Sequence, residues 1–323
     1  MIRLKLAKDA LIKEIKFLAE MGFAHFELSS GDDLNLLRFE LPELIASVKK
    51  TAQEIIPSAR VSICVTPFSE VHYSHLARCG LDTVFTWQET YDRDTYYAHI
   101  TSGPKAVGLT DDLSLDTHGD GYLFRMKSQE NAIRAGLQAG LGVMLGISPH
   151  LEADILSSVI HGNALISRYG DSIEPLIIGM PIWNPITTPK TDNLSKNSSI
   201  RLEESDFELI SAIYLLGFPD RHAWVFPNCR VSKIEQMKSI LTAGCFTSTM
   251  VRLGPGAYLA ELTNADIPSL YTKIAKEKAP LNKQSIMDGE QFTHTFDFHE
   301  NYLSMFAEGR LEIVPDRHFL LQN

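Results

Sequence analysis

The chain has 323 residues, 44% of them hydrophobic and 22% charged, which suits one large barrel or two smaller domains and argues against a disordered chain. Its formal charge is -10, and none of the 30 basic residues form a long run, which excludes a partner read through its phosphate backbone and leaves a small molecule or a protein. The start of the chain lacks a signal-peptide core, and no stretch approaches the roughly 20 apolar residues of a membrane helix, so a cytoplasmic location is expected.

In chain order, residues 7–21 place Leu11, Ile15, Leu18 and Ala19 at helical spacing, with Gly22 as a stop. A short apolar run over 24–29 follows and ends at Ser30-Gly31-Asp32. The same rhythm predicts further strands near 60–66, 82–87, 142–147, 175–180, 223–227 and 246–251. Between them the spacing predicts helices over 43–55, 69–78, 127–138, 152–169, 203–216 and 232–243. Strands that alternate with helices pair in parallel through right-handed crossovers. A closed barrel of this kind has eight strands. Ile2-Arg-Leu-Lys-Leu6 alternates correctly and is either the remaining strand or no strand at all. Residues 106–124 and 184–200 read as long loops beyond strand ends, the active-site face of such a barrel, and serve as a lid or as plain surface insertions. From Ala265 onward, helical segments near Leu270 to Lys278 and Glu300 to Glu308 form a tail. The reading is an α/β fold: a TIM-type barrel over 1–260, its first strand short or missing, with a C-terminal extension over 261–323 packed on it.

Five motifs carry a family resemblance. They are the segment from Trp87-Gln-Glu-Thr-Tyr91 to Gly103-Pro-Lys105; Arg125 with the helix to Gly136 and Gly140-Leu-Gly-Val-Met-Leu-Gly146; His161-Gly-Asn-Ala-Leu165; Pro227-Asn-Cys-Arg230; and Gly254-Pro-Gly-Ala-Tyr258. In this order they resemble the radical S-adenosylmethionine (SAM) enzymes that cleave aromatic amino acids, the group of the tyrosine lyases of thiamine synthesis and hydrogenase maturation and the tryptophan lyase of nosiheptide synthesis. The resemblance implies a SAM site at the barrel mouth. Ser29, Ser30, Gly31 and Asp32 would meet the SAM ammonium, Gln88 and Glu89 would lie beside the ribose, and Arg125 would pair with the SAM carboxylate. His161 and Arg230 would contact the substrate, Arg230 through its carboxylate. A guanidinium fork suits a carboxylate. Asn228, Cys229 and Val231 depart from the family's Ser, Thr and Glu around Arg230, which leaves substrate identity open.

The family's C-x-x-x-C-x-x-C triplet does not occur in the sequence. Its cysteines are Cys64, Cys79, Cys229 and Cys245, no two closer than fifteen positions. Thiolates hold iron-sulfur clusters, so no self-ligated cluster is expected, and SAM stands as the candidate cofactor. Cys64 and Cys229 are expected as buried structural thiols, and Gly140, Gly142 and Gly146 serve close packing as readily as an adenine site. His294, Asp297, His299 and Glu300 are metal-ligand types at irregular spacing within the tail, and no metal site is assigned to them. No catalytic residue is assigned either. The leading expectation is a cluster-less homologue that keeps an amino-acid or adenosyl pocket and acts as partner, scaffold or regulator in cofactor or natural-product synthesis. The alternatives are an active lyase whose cluster segment lies on another chain or outside this sequence, and a barrel enzyme that reuses the pocket for non-radical chemistry. A missing first strand would expose a parallel edge, to be covered by the tail, by a protein partner or in a homodimer.

Overall fold

The computed structural model describes residues 4–183, 202–219, 221–229, 231–244, 246–252, 254–263, 266–274 and 299–311. After β1 (Leu4–Leu6) and α1 (Lys8–Glu20) come six strands that form one sheet: β2 (His25–Ser29), β3 (Arg60–Cys64), β4 (Thr83–Phe85), β5 (Gln138–Gly142), β6 (Leu176–Gly179) and β7 (Ala223–Phe226). Each pairs in parallel with the next, so the order in the sheet is the order in the chain. The crossovers hold α2 (Leu41–Gln53), α3 (Glu70–Arg78), α4 (Arg93–His99), α5 (Pro104–Val107), α6 (Gly121–Met126), α7 (Ser128–Arg134), α8 (Leu151–Tyr169) and α9 (Glu204–Gly217). After β7 follow α10 (Lys233–Ala243), α11 (Ala257–Leu262), β8 (Tyr271–Ile274) and α12 (His299–Glu308).

Strand alternation separates two packed layers. Val61, Ile63, Ala139, Leu141, Leu176, Ile178 and Val225 meet helix residues such as Ile45, Val48, Phe207 and Ile210 in the main core. Their neighbours on the other face, Phe85, Ile177, Trp224 and Phe226, form a separate aromatic cluster. The sheet curls around that cluster. His25, on the edge strand β2, meets Phe246 edge-on with ring centroids 5.2 Å apart, and the Phe246 amide donates to Val225 O in the opposite edge strand β7. In a flat six-stranded sheet those edges would stand roughly 24 Å apart. The result is an α/β fold with a curled six-stranded parallel sheet, without a closing ladder among the described residues.

Three sequence expectations are corrected. The strand expected at 142–147 is β5, four residues earlier. Gly136, at φ 80, stops α7 and the chain enters the sheet at once, while Met144 and Leu145 bond across the strand ends to Glu89 O and Pro181 O. Among the described residues the run at 246–251 makes no ladder; its backbone meets the sheet through the bond from Phe246 N to Val225 O. Leu4–Leu6 does not join the sheet but pairs antiparallel with Tyr271–Ile274, where a helix had been expected. A Tyr-Thr-Lys-Ile run favours a strand, and Leu4, Leu6 and Ala7 pack there against Ala10, Ala257, Leu259, Ala260, Leu270 and Tyr271. The loop at 184–200, Arg230, His294 and Asp297 lie outside the described residues. No described helix is long and apolar enough to cross a membrane.

Candidate ligand site at the strand ends

The site grows out of β4. Beyond Phe85 the chain continues the strand's alternation, so Phe85 and Trp87 point to the aromatic face, their rings stacked 5.4 Å apart. Two glycines on neighbouring strands make room for them. A Cβ at Gly140 would lie 2.6 Å from the Phe85 ring, and one at Gly179 would lie 2.3 Å from the Trp87 ring. Gly142 has the same kind of constraint, since its Cβ would lie 2.2 Å from Gly179 O. Gly140 and Gly142 therefore serve close packing inside the barrel, one of the two roles open to them in the sequence.

One step further along, Glu89 adopts φ 71, a left-handed backbone that is rare for a residue with a side chain. Its carboxylate is nearly fully buried and accepts from Lys105 Nζ and from Arg125 Nη2, both at 2.9 Å. Burial alone would raise the Glu89 carboxyl, but Lys105 and then Arg125 outweigh it and hold it below the ordinary glutamate value. Arg125 also donates through Nε to Trp87 O. Its remaining nitrogen, Nη1, is buried with no partner. The helices that bring the two cations together touch closely. A Cβ at Gly121, the first residue of α6, would lie 2.1 Å from Lys105 O, and Tyr96 ties that same carbonyl down with a 2.7 Å bond. Two cations thus converge on one carboxylate and leave an excess positive charge with an unmet donor, an arrangement suited to an anionic group such as a ligand carboxylate.

Of the residues singled out in the sequence, Glu89 and Arg125 come together in this triad. Ser29 ends β2 in register with Cys64, and its hydroxyl donates to Cys64 O at 3.3 Å. The Cys64 thiol senses the charges of Glu27, Lys105, Arg125 and Glu89, and burial pushes it up to about 12. Ser30 donates to Gly31 O at 2.9 Å, and Gly31 and Asp32 are exposed on the loop beyond it. Gln88 is not on the triad's face. It alternates with Trp87 and lies on the side of Thr86 and Thr90, which bond to Ser128 of α7 and Asp154 of α8. Both amide atoms of Gln88 are buried without a partner there. His161 sits on α8, its Nδ1 2.9 Å from the Tyr91 hydroxyl, and burial pushes its imidazole below the ordinary histidine value. Tyr91 is two residues from Glu89, and its amide donates to Asp154 at 2.7 Å. His161 and Asp154 therefore clamp the strained strand end onto α8. Lys105 escaped the sequence reading although it closes the Gly103-Pro-Lys105 motif, because nothing in one dimension shows that it reaches back to Glu89.

No protein-family model matches the chain. In sequence it is 27% identical over 150 residues to 2-iminoacetate synthase of Escherichia coli (strain K12), a match covering 45% of this chain and 33% of that protein. In fold it superposes on the FeFe-hydrogenase maturase HydG with a TM-score of 0.65 at 21% identity, over 80% of this chain and 52% of that one. Methylornithine synthase, PylB, gives a TM-score of 0.56 at 13% identity, over 94% and 74% of the two chains. The chain thus resembles 2-iminoacetate synthase over part of its sequence and shares the fold of HydG and PylB. It matches only a third of the length of the curated synthase and about half of HydG. Among the described residues, no three His, Cys, Asp or Glu side chains are grouped to hold a metal ion. The described thiols stand apart in the fold: Cys64 ends β3, Cys79 follows α3 and Cys229 is buried beyond β7.

Proposed function

We propose that the chain binds an α-amino acid, or an adenosyl compound that carries one, at the mouth of the barrel, and acts as a partner, scaffold or regulator in cofactor or natural-product synthesis. The observation that carries this reading is Arg125: buried, paired once to Glu89, and left with Nη1 unsatisfied beside Lys105. A buried donor without a partner costs about 1–3 kcal/mol, more when charged, and a ligand carboxylate would remove that cost. Glu89, held ionised by the two cations, orients both of them and can face a ligand ammonium on its other oxygen. The Ser29 to Asp32 loop at the neighbouring strand ends is the proposed seat of the rest of the amino-acid head, and Arg230 the proposed second anchor for a substrate carboxylate.

Iron-sulfur chemistry, which the family uses to reduce SAM, needs thiolate ligands. The thiol set of this sequence does not fit that need. It has no cysteine triplet, and its described thiols stand apart in the fold. No radical step is therefore assigned to these residues. Anaerobic reconstitution with iron and sulfide, followed by SAM and dithionite, tests the reading. Calorimetric binding of SAM without 5′-deoxyadenosine release or a SAM-dependent change in the electron paramagnetic resonance spectrum is the expected result. A stoichiometric cluster whose spectrum responds to SAM would overturn the reading of a cluster-less partner.

A further inference from the structure

The outer faces of α8, α9 and α10 carry aliphatic side chains that nothing described in the chain covers. Leu156 and Ile160 on α8, Leu209, Ile213 and Leu216 on α9, and Ile234 and Leu241 on α10 are between 40% and 85% exposed. The three helices are direct neighbours. Asn163 of α8 donates to Gly217 O of α9 at 2.8 Å, and Thr242 of α10 donates to Glu208 of α9 at 2.9 Å. On α9 the buried face is Phe207, Ile210, Ser211 and Tyr214. Leu209, Ile213 and Leu216 lie roughly 140° round from it, on the side towards α8. Leu156 and Ile160 stand outward of Val159 and Asn163, the α8 residues that meet Gly217, so the two stripes border one seam. A helix that is apolar on its outer as well as its inner face belongs in an interior.

We propose that this face is the contact with a second copy of the chain in a two-fold dimer. Its size fits: seven such side chains expose on the order of 700 Å² of aliphatic surface, near the ~800 Å² per partner of a stable interface and above the ~300–600 Å² of a usual monomer's largest patch. Its charge pattern selects the occupant. In a chain of formal charge -10, residues 156–164 of α8 and 209–217 of α9 hold no Asp, Glu, Lys or Arg, while α10 carries Lys233, Glu235 and Lys238. In a two-fold contact each residue near the axis meets its own copy, so any charge there would face a like charge, and a neutral stripe avoids that repulsion. A partner of different sequence imposes no such rule, and one selected for an acidic chain would be met by acidic side chains.

Sedimentation velocity of the full chain tests the proposal. A dimer is expected at low micromolar concentration, and Leu209→Glu with Leu216→Glu should raise its dissociation constant at least ~100-fold while the far-ultraviolet circular dichroism stays unchanged. Val71→Glu, at an exposed apolar residue on α3, should leave the dimer intact. A wild-type monomer at 100 times that concentration, with the face covered by its own chain or left for another protein, would overturn the proposal. So would a dimer indifferent to the double substitution, or one equally broken by Val71→Glu.

Discussion

Phe85 and Trp87 sit one strand step below Glu89, and the two levels are held by different physics. The lower level is apolar and filled: rings from β4 and the segment after it stack over glycines at 140 and 179, with Phe226 and Phe246 behind them. The upper level is charged, strained and incomplete, with a left-handed Glu89, two cations and one unsatisfied guanidinium nitrogen. The plug fixes where the ligand can go by occupying the space beneath. On the proposed reading, the triad calls for an anionic group on the ligand. A barrel that keeps costly buried charge above a well-packed floor resembles a binding site more than a relic of one.

Breaking the upper level should have the largest effect. Arg125→Met leaves Glu89 buried with Lys105 alone and should destabilise the fold by about 3–5 kcal/mol in urea unfolding, whereas Arg125→Met with Glu89→Gln should recover most of that loss. Glu14 sharpens the contrast, because it is a buried carboxyl with no cation paired to it among the described residues. Burial, opposed only by the amides of Leu259 and Tyr258, pushes it up to about 7. The folded state then holds a proton that the unfolded state has released, so this contribution is fully present below pH 4.5 and is lost as pH rises through 7. The expected loss is about 3 kcal/mol, and Glu14→Gln should remove this slope from the pH dependence of unfolding. Gly179→Ala attacks the floor. The Trp87 ring must move, at a cost of about 1–3 kcal/mol, and tryptophan emission should shift. Tyr91→Phe is the mildest change: it removes one bond to His161 at about 1 kcal/mol in thermal unfolding, provided Glu89 keeps its backbone through Asp154.

Much of this contrast was legible in the sequence and some was not. Alternating strands and helices gave the parallel sheet and the positions of α1, α2, α8, α9 and α10, because those helices carry long apolar periods against a single core. β5 was misplaced because Gln138-Ala-Gly-Leu-Gly142 lacks the branched residues that mark a strand, its glycines being there for the Phe85 ring and the Gly179 carbonyl. Glu89 and Arg125 were found through the resemblance, 36 residues apart. Gln88 and Glu89 are adjacent in sequence yet face opposite layers, and only the strand's alternation separates their roles. The pairing of Leu4–Leu6 with Tyr271–Ile274 joins segments far apart in the sequence, a distance at which local pattern carries no information.

The central claim is that the mouth recognises the carboxylate of an amino-acid head. Calorimetry with S-adenosylhomocysteine and 5′-methylthioadenosine isolates it, since both carry the adenosyl thioether and only the first carries the amino-acid group. The account predicts at least tenfold tighter binding of S-adenosylhomocysteine by the wild type, about 1.4 kcal/mol or more, and loss of that difference in Arg125→Gln. Equal affinity of the two compounds for the wild type, or a preference that survives in Arg125→Gln, would contradict it.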